Sequence, residues 1–495
     1  MSLDPLTFHP NSLGPKRWYC HHLLVSLLTV SLISIGLSDA PAQQFSIGTS
    51  FQATTLDESG FIVPDTMGAV GPQHVALLLN GRFAAFDKTG TPLVSKSLND
   101  FWNDAGVTPT GEFAFDPRIL YDHFSGRWFG VSVDNHSGAN NFLVAVSATD
   151  DPTGSWSGFQ IDSDPNDSRW ADFPTLGLNH DVVALGANMF PIASGGYSAA
   201  GNPHRSLLVL PKSDLIAPVP SVANATLLEN LNTSFAPQPI VDLDNGDLPL
   251  PVLSEGKSTF GFLALMDIAG PATSPTLDIT DSISYVTLRD IPPPIDQPGP
   301  KANLHAQDTR FTGNAVKLDG SVWAAHGVEF DGRAAIEWYE LDAGTKDVVQ
   351  SGLLSDPELG LSYPSIAVNP DKDVVIGFSA AGPNTFAGAY AAVGKTVNDV
   401  TTFGPITELE PGLADYERLD SQGRNRWGDY SATVNDPLDS NRFWTFQEFA
   451  LSSSPSDQWA VQAIEIIVPE PSTALLLCLG LVALAAGRRK RQPAA

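Results

Sequence analysis

Phe115-Asp116-Pro117-Arg118-Ile119-Leu120-Tyr121-Asp122, continued through the turn at Gly126 into Arg127-Trp128-Phe129-Gly130-Val131-Ser132-Val133, decides the fold. A proline-bearing lead-in turn starts a short apolar strand, a Gly turn reverses it, and a second strand rich in Trp, Phe and Val returns. The same order recurs along the chain. It starts again at Asp65-Thr66-Met67-Gly68, Asp172-Phe173-Pro174-Thr175, Gln238-Pro239-Ile240-Val241, Thr312-Gly313-Asn314-Ala315, Ser362-Tyr363-Pro364-Ser365 and Arg426-Trp427-Gly428-Asp429-Tyr430-Ser431. Starts spaced by roughly 50 to 75 residues fit four-stranded propeller blades with long loops, since one blade takes about 40 to 50 residues. A blade cannot bury both faces alone, so the repeats must pack around an axis. The expectation is therefore an all-β chain folded as a single β-propeller of seven blades over residues 43–467. Six or eight blades, or tandem β-sandwiches, would show similar spacing.

The linkers fit this reading. Ile291-Pro292-Pro293-Pro294-Ile295-Asp296-Gln297-Pro298-Gly299-Pro300 reads as an extended crossing between blades, or as a domain boundary. Trp459 to Ile467 alternates as a final strand that would pair with the first blade and close the ring.

Both ends of the chain read as addresses. Lys16 and Arg17 precede an apolar stretch from Leu23 to Leu37, and Ala40-Pro41-Ala42 supplies the small residues that a signal peptidase requires. Residues 1–42 are thus expected to be a signal peptide cut after Ala42. At the other end, residues 468–495 hold Pro469, Glu470 and Pro471, thirteen apolar or small residues from Ala474 to Ala486, and the cations Arg488, Arg489, Lys490 and Arg491. As a helix the apolar run would rise roughly 20 Å, short of a ~30 Å hydrocarbon core, which suits a transmembrane helix that anchors only transiently. The cations would stay on the cytoplasmic side. Pro469 and Pro471 keep the preceding backbone extended and open to a protease.

This tail resembles the C-terminal sorting signal of the PEP-CTERM family of exported bacterial proteins. The resemblance implies an exosortase as processing partner, which would remove the tail and leave the protein at the cell envelope surface or outside the cell.

Without the two ends, 21 Lys+Arg face 52 Asp+Glu, so the body is strongly acidic. Such a surface disfavours nucleic acid and anionic membrane as partners. The chain's two cysteines, Cys20 and Cys478, both lie in the targeting segments, so the body must be held by its core without a disulfide.

Sequence motifs of catalysis are missing from the body: there is no His-Glu-x-x-His, no Gly-x-Ser-x-Gly and no phosphate-cradling glycine loop. The Asp-Pro-Arg-Ile-Leu-Tyr-Asp and Arg-Trp-Gly-Asp-Tyr-Ser stretches are similar to those of sialidase-like propellers. That likeness implies a glycoside hydrolase as the competing function, with arginines for a substrate carboxylate, a tyrosine nucleophile and an aspartic acid gathered on one face. The candidates are Arg118, Arg310, Arg426, Asp429 and Tyr430. The family's Asp-box, Ser-x-Asp-x-Gly-x-x-Trp, is not intact.

Two acidic loops are calcium candidates: Asp162, Asp164 and Asn166, and Asp242, Asp244 and Asp247. The first lacks the EF-hand glycine, and the second suits an Asn-Gly hairpin. Tryptophans at 102, 156, 170, 323, 338, 427, 444 and 459 read mainly as blade core, with Trp170 placed to serve a ligand. The function expected is a non-catalytic binding or structural role at the surface or in the matrix, with a polysaccharide or other envelope component as partner.

Overall fold

The computed structural model describes residues 45–135, 138–192, 204–231, 235–256, 261–279, 283–452 and 457–469. The fold is all-β with 5% helix, and its sheets take a β-propeller arrangement. Five sheets of four or five strands stand as separate blades: residues 68–97, 114–162, 235–285, 360–410, and 432–467 joined by Ser46–Thr55. The sixth sheet has nine strands. It consists of two antiparallel meanders, 169–228 and 316–354, whose inner strands are bridged by Val241–Asp242 running parallel to both.

Adjacent sheets share their cores, because the middle strands are buried on both faces. Phe129, Val131, Phe142 and Val144 pack on Leu176, Val183, Leu185 and Leu208 of the next sheet, and Val252, Leu265 and Met266 pack on Val322, Ala324 and Leu341. Each such side chain contributes roughly 1.5–3 kcal/mol of burial.

The tryptophans belong to this interior. Trp102, Trp128, Trp170, Trp323, Trp427, Trp444 and Trp459 are all fully buried. Trp170 therefore corrects the expectation of a ligand platform: it packs tilted against Phe190, at a ring separation of 5.7 Å, inside the 169–228 core.

Ring closure differs from the expected pairing. Gln458–Ile467 lies between Asp439–Ser452 and the N-terminal strand Ser46–Thr55, with Ser46 opposite Ile467 and Thr55 opposite Ala460. The partner is thus a strand ahead of the first blade, added as the outer strand of the last sheet. The Ile291–Pro300 stretch crosses between sheets and packs on the segment at 416–425: Gln297 donates to the Tyr416 carbonyl at 2.8 Å, and Leu304 bridges Asn425. In the first blade the hairpin turns at Asn80-Gly81. Gly81 has a left-handed φ of 77°, and a Cβ there would sit 2.0 Å from the Ser59 carbonyl oxygen, so only glycine fits.

The expected signal peptide, with Ala40 and Ala42, and the tail from Glu470 lie outside the described residues. Among the described residues no helix is long and apolar enough to cross a membrane.

Candidate functional site at the ring centre

The lead-in turns have a common backbone device. Asp65, Asp116, Phe173, Ala236 and Tyr363 all adopt left-handed φ, between 47° and 54°. In four of them a proline comes next, and the pairing register shifts there: between Phe115 and Arg118, Asp172 and Thr175, Phe235 and Gln238, and Ser362 and Ser365. A bulge of this kind re-aims the side chain after it. The polar residues so placed tie neighbouring blades together. Arg118 Nε donates to the Pro174 carbonyl at 2.9 Å, Thr175 Oγ1 to that of Pro237 at 2.6 Å, and Thr312 Oγ1 to that of Pro364 at 2.9 Å. The fourth start falls at Ala236-Pro237 instead of Gln238-Pro239, because Pro237 is the proline next to the left-handed residue.

The five candidate residues converge on this face. Arg118 is completely buried: besides Pro174, its Nη1 donates across the ring to the Thr312 carbonyl at 3.2 Å, and its guanidinium lies 3.7 Å from the Tyr430 ring centroid. The Tyr430 hydroxyl donates to Asp116 Oδ2 at 3.3 Å, which also accepts the Phe173 N–H at 3.0 Å. Asp116 donates its own N–H to Asn80 Oδ1 at 2.8 Å, and Asn80 Nδ2 donates to Asp65 Oδ2 at 2.5 Å. Burial pushes the Asp116 carboxyl up to about 6, assisted by the negative charge of Asp429. Burial, then Asp429 and Asp116, pushes Asp65 well above the carboxylate range. Two buried carboxyls of raised pKa beside a buried arginine make this layer a cross-braced floor.

Above it the groups reach solvent. Asp308 holds Arg310 through both carboxylate oxygens, at 2.8 and 2.6 Å, while the guanidinium lies 4.4 Å from the Phe173 ring and 4.7 Å from that of Phe235. Arg426 pairs with Asp429 at 2.8 Å, and Gln307 donates to the same carboxylate oxygen. Side-chain exposures of 13% for Arg310, 33% for Asp308, 19% for Arg426 and 16% for Asp429 leave polar edges at the surface. Burial works to raise Asp308, but the charge and hydrogen bonds of Arg310 hold it below the usual range. Asp172 goes the other way, pushed up to about 8 by burial and then by Asp116, so it is a neutral donor at pH 7. The site thus offers guanidinium edges, carboxylate acceptors and a carboxylic acid around aromatic faces.

Sequence reasoning passed over Asp65, Asp116, Asp172 and Asp308, although the first three stand in the quoted lead-in turns. It also missed a buried chain beside them. Thr309 Oγ1 donates to Glu255 Oε1 at 2.7 Å, and His326 lies 2.5 Å from the Thr309 carbonyl and 3.2 Å from the Tyr339 hydroxyl. Tyr339 donates to Glu337 at 2.8 Å, around a cavity of about 20 Å³, room for one water.

The acidic loops are engaged by the chain's own donors. Asp164 accepts the N–H groups of Asn166, Ser168 and Arg169 at 2.8 to 3.0 Å, and Asp162 accepts that of Asp164 at 3.0 Å. Lys317 sits 2.9 Å from Asp242 and 3.5 Å from Asp244. Asp247 is drawn away to His180 at 3.0 Å, and with Asp181 these form a cluster whose ligand atoms lie within 4.8 Å of one another.

On the opposite face the inner strands open into a mostly apolar mouth of about 300 Å³. The final strand ends on that face: the Val468 N–H donates to the Asn441 carbonyl at 2.9 Å, and Pro469 comes directly after it. Residues 468–491 match the PEP-CTERM protein-sorting motif. The chain carries this sorting signal. The PEP-CTERM motif therefore begins where the last blade strand ends, and it marks an exported, envelope-associated protein. Glu470, Pro471, Arg488, Arg489, Lys490 and Arg491 lie outside the described residues.

No curated protein matches the chain. Among solved structures, it is similar to phage phi92 endosialidase, at 9% identity and a TM-score of 0.40 over 86% of this chain and 70% of that one. It is similar to Trypanosoma rangeli sialidase in complex with sialic acid, at 10% identity and 0.38 over 84% of this chain, and spans 61% of that chain, less than two thirds. A protein of unknown function from Dyadobacter fermentans shows 14% identity and 0.31 over 61% of this chain and 96% of that one.

Proposed function

We propose that this chain is an exosortase-sorted surface or matrix protein whose ring centre binds a hydroxyl-rich ligand, an envelope polysaccharide, without turning it over. The observation that carries this reading is the pairing of the arginines. Arg310 and Arg426 are neutralised by Asp308 and Asp429, and Arg118 is sealed under Tyr430. A guanidinium whose charge is already matched by a neighbouring carboxylate attracts a substrate carboxylate less strongly. Paired ones, with Asp172 and Asp429 beside aromatic rings, suit neutral hydroxyl groups. Both halves of the nine-stranded sheet are read as blades, which makes the ring seven-bladed. Exosortase would remove the tail, and the acidic loops are read as turns braced by N–H groups and Lys317 in place of calcium.

Binding of the purified body to envelope polysaccharide, with affinity reduced at least ~10-fold by Asp308→Asn or Asp172→Ala, is the expected result. The second reading, a glycoside hydrolase, is favoured by Asp172 alone, whose raised pKa fits a general acid. Turnover of fluorogenic glycosides that Asp429→Asn or Tyr430→Phe abolishes would overturn the binding reading.

A further inference from the structure

The mouth on the face opposite the arginines is lined by Leu120, Val241, Val316, Val368 and Val434, with Leu438 on its rim and 65% exposed. A cavity of about 300 Å³ is large enough for a ligand or several side chains. Its rim carries carboxylates: Asp319 and Asp371 are exposed beside Leu318 and Pro370, while Asp244 and Asp439 are paired with Lys317 at 3.5 Å and Arg442 at 2.9 Å. The last strand delivers the chain to this rim, since Val468 is bonded to Asn441, the neighbour of the lining residue Ser440. Beyond Val468 the sequence continues with five residues, 469–473, then the apolar run 474–486, then Arg488, Arg489, Lys490 and Arg491. Five extended residues span roughly 17 Å, starting from the strand end bonded to Asn441. An apolar interior with an acidic rim stands within reach of an apolar run with a basic end.

We propose that this mouth is the docking site for the chain's own apolar run, residues 474–486, with the cations at 488–491 against the acidic rim. Docking hides several of the run's apolar side chains from water whenever it is outside a bilayer, and removal of the tail uncovers the socket. This inference does not depend on what the opposite face binds.

The full chain carrying Cys20→Ser keeps Cys478 as its one native thiol. Leu438→Cys adds a second at the rim, and Val400→Cys adds one that is as exposed, at 61% for the native residue, on the same face but outside the socket. In detergent-free buffer under mild oxidation, docking makes the intrachain cross-link at least ~10-fold faster in the Leu438→Cys chain, at a rate independent of protein concentration. Equal rates in the two chains overturn the proposal. A product that is mainly interchain also overturns it and makes a second copy the occupant. Without added thiols, the apolar dye N-phenyl-1-naphthylamine should brighten more with a chain ending at Pro469 than with the full chain, and Leu438→Asp should remove that difference. An unchanged dye signal on truncation is a second way for the idea to fail.

Discussion

Glu255 gives the sharpest stability test, because burial is the largest influence on its carboxyl. Burial pushes it from 4.5 up to about 7; the Thr309 hydroxyl lowers it and Asp308 raises it by less. In the folded state it therefore keeps its proton between pH 4.5 and 7, whereas the unfolded chain releases it. The folded state binds more protons in that window, so the stabilisation is full below 4.5 and is lost as pH rises through 7. The rise from 4.5 to about 7 corresponds to about 3 kcal/mol. Glu255→Gln retains an oxygen to accept from Thr309 and cannot ionise. Its chain should match the native one near pH 4.5 and exceed it by about 3 kcal/mol at pH 8.5. With an unfolding entropy of roughly 2.1 cal/mol/K per residue over ~420 residues, that is a Tm gap of about 3 to 4 °C. Scanning calorimetry of both chains at the two pH values cancels the slope contributed by Asp65, Asp116 and Asp172, which is common to both. Superimposable Tm–pH profiles would refute the assignment of a buried, proton-retaining Glu255.

Asp308→Ala should destabilise the fold by about 1–3 kcal/mol by removing the bidentate partner of the Arg310 guanidinium between Phe173 and Phe235, as read by urea denaturation; an unchanged stability would mean that the pair is solvated. Deleting residues 46–55 should expose the edge of Gln458–Ile467 and yield aggregated or dimeric species by light scattering, while a monomer of native Tm would contradict closure by this strand. Because Lys317 and backbone N–H groups already satisfy Asp242, Asp244 and Asp164, EGTA should leave Tm unchanged; a fall of several degrees would restore calcium to these loops.

The propeller was legible where its signal is local. The lead-in turns carry proline and aspartate because a left-handed residue leading into a bulge is needed there, and that requirement is written within four residues. Gln238-Pro239 misled by two positions, since Pro237 and Pro239 are equally good turn signals in sequence and only the register separates them. Ser46–Thr55 has no lead-in pattern, and its pairing with Gln458–Ile467 is set by strands at opposite ends of the chain. The candidate site was legible as residue types but not as partnerships. Arg118, Arg310, Arg426, Asp429 and Tyr430 do converge, yet the Tyr430–Asp116 bond joins positions 314 apart and the Arg118–Thr312 bond positions 194 apart. Those partners are invisible in the sequence: the hydroxyl of the candidate Tyr430 donates to the buried carboxyl of Asp116.

The pairing of Ser46–Thr55 with Gln458–Ile467 also sets a schedule for export. The first strand to emerge from a translocation channel is complementary to nearly the last, so the circle stays open until some 400 intervening residues have crossed. Joining ends so far apart carries the largest closure entropy in the molecule, and until then the leading strand must avoid other partners. Maturation of this protein is therefore timed by the arrival of its final strand, immediately ahead of the segment that directs where it will reside.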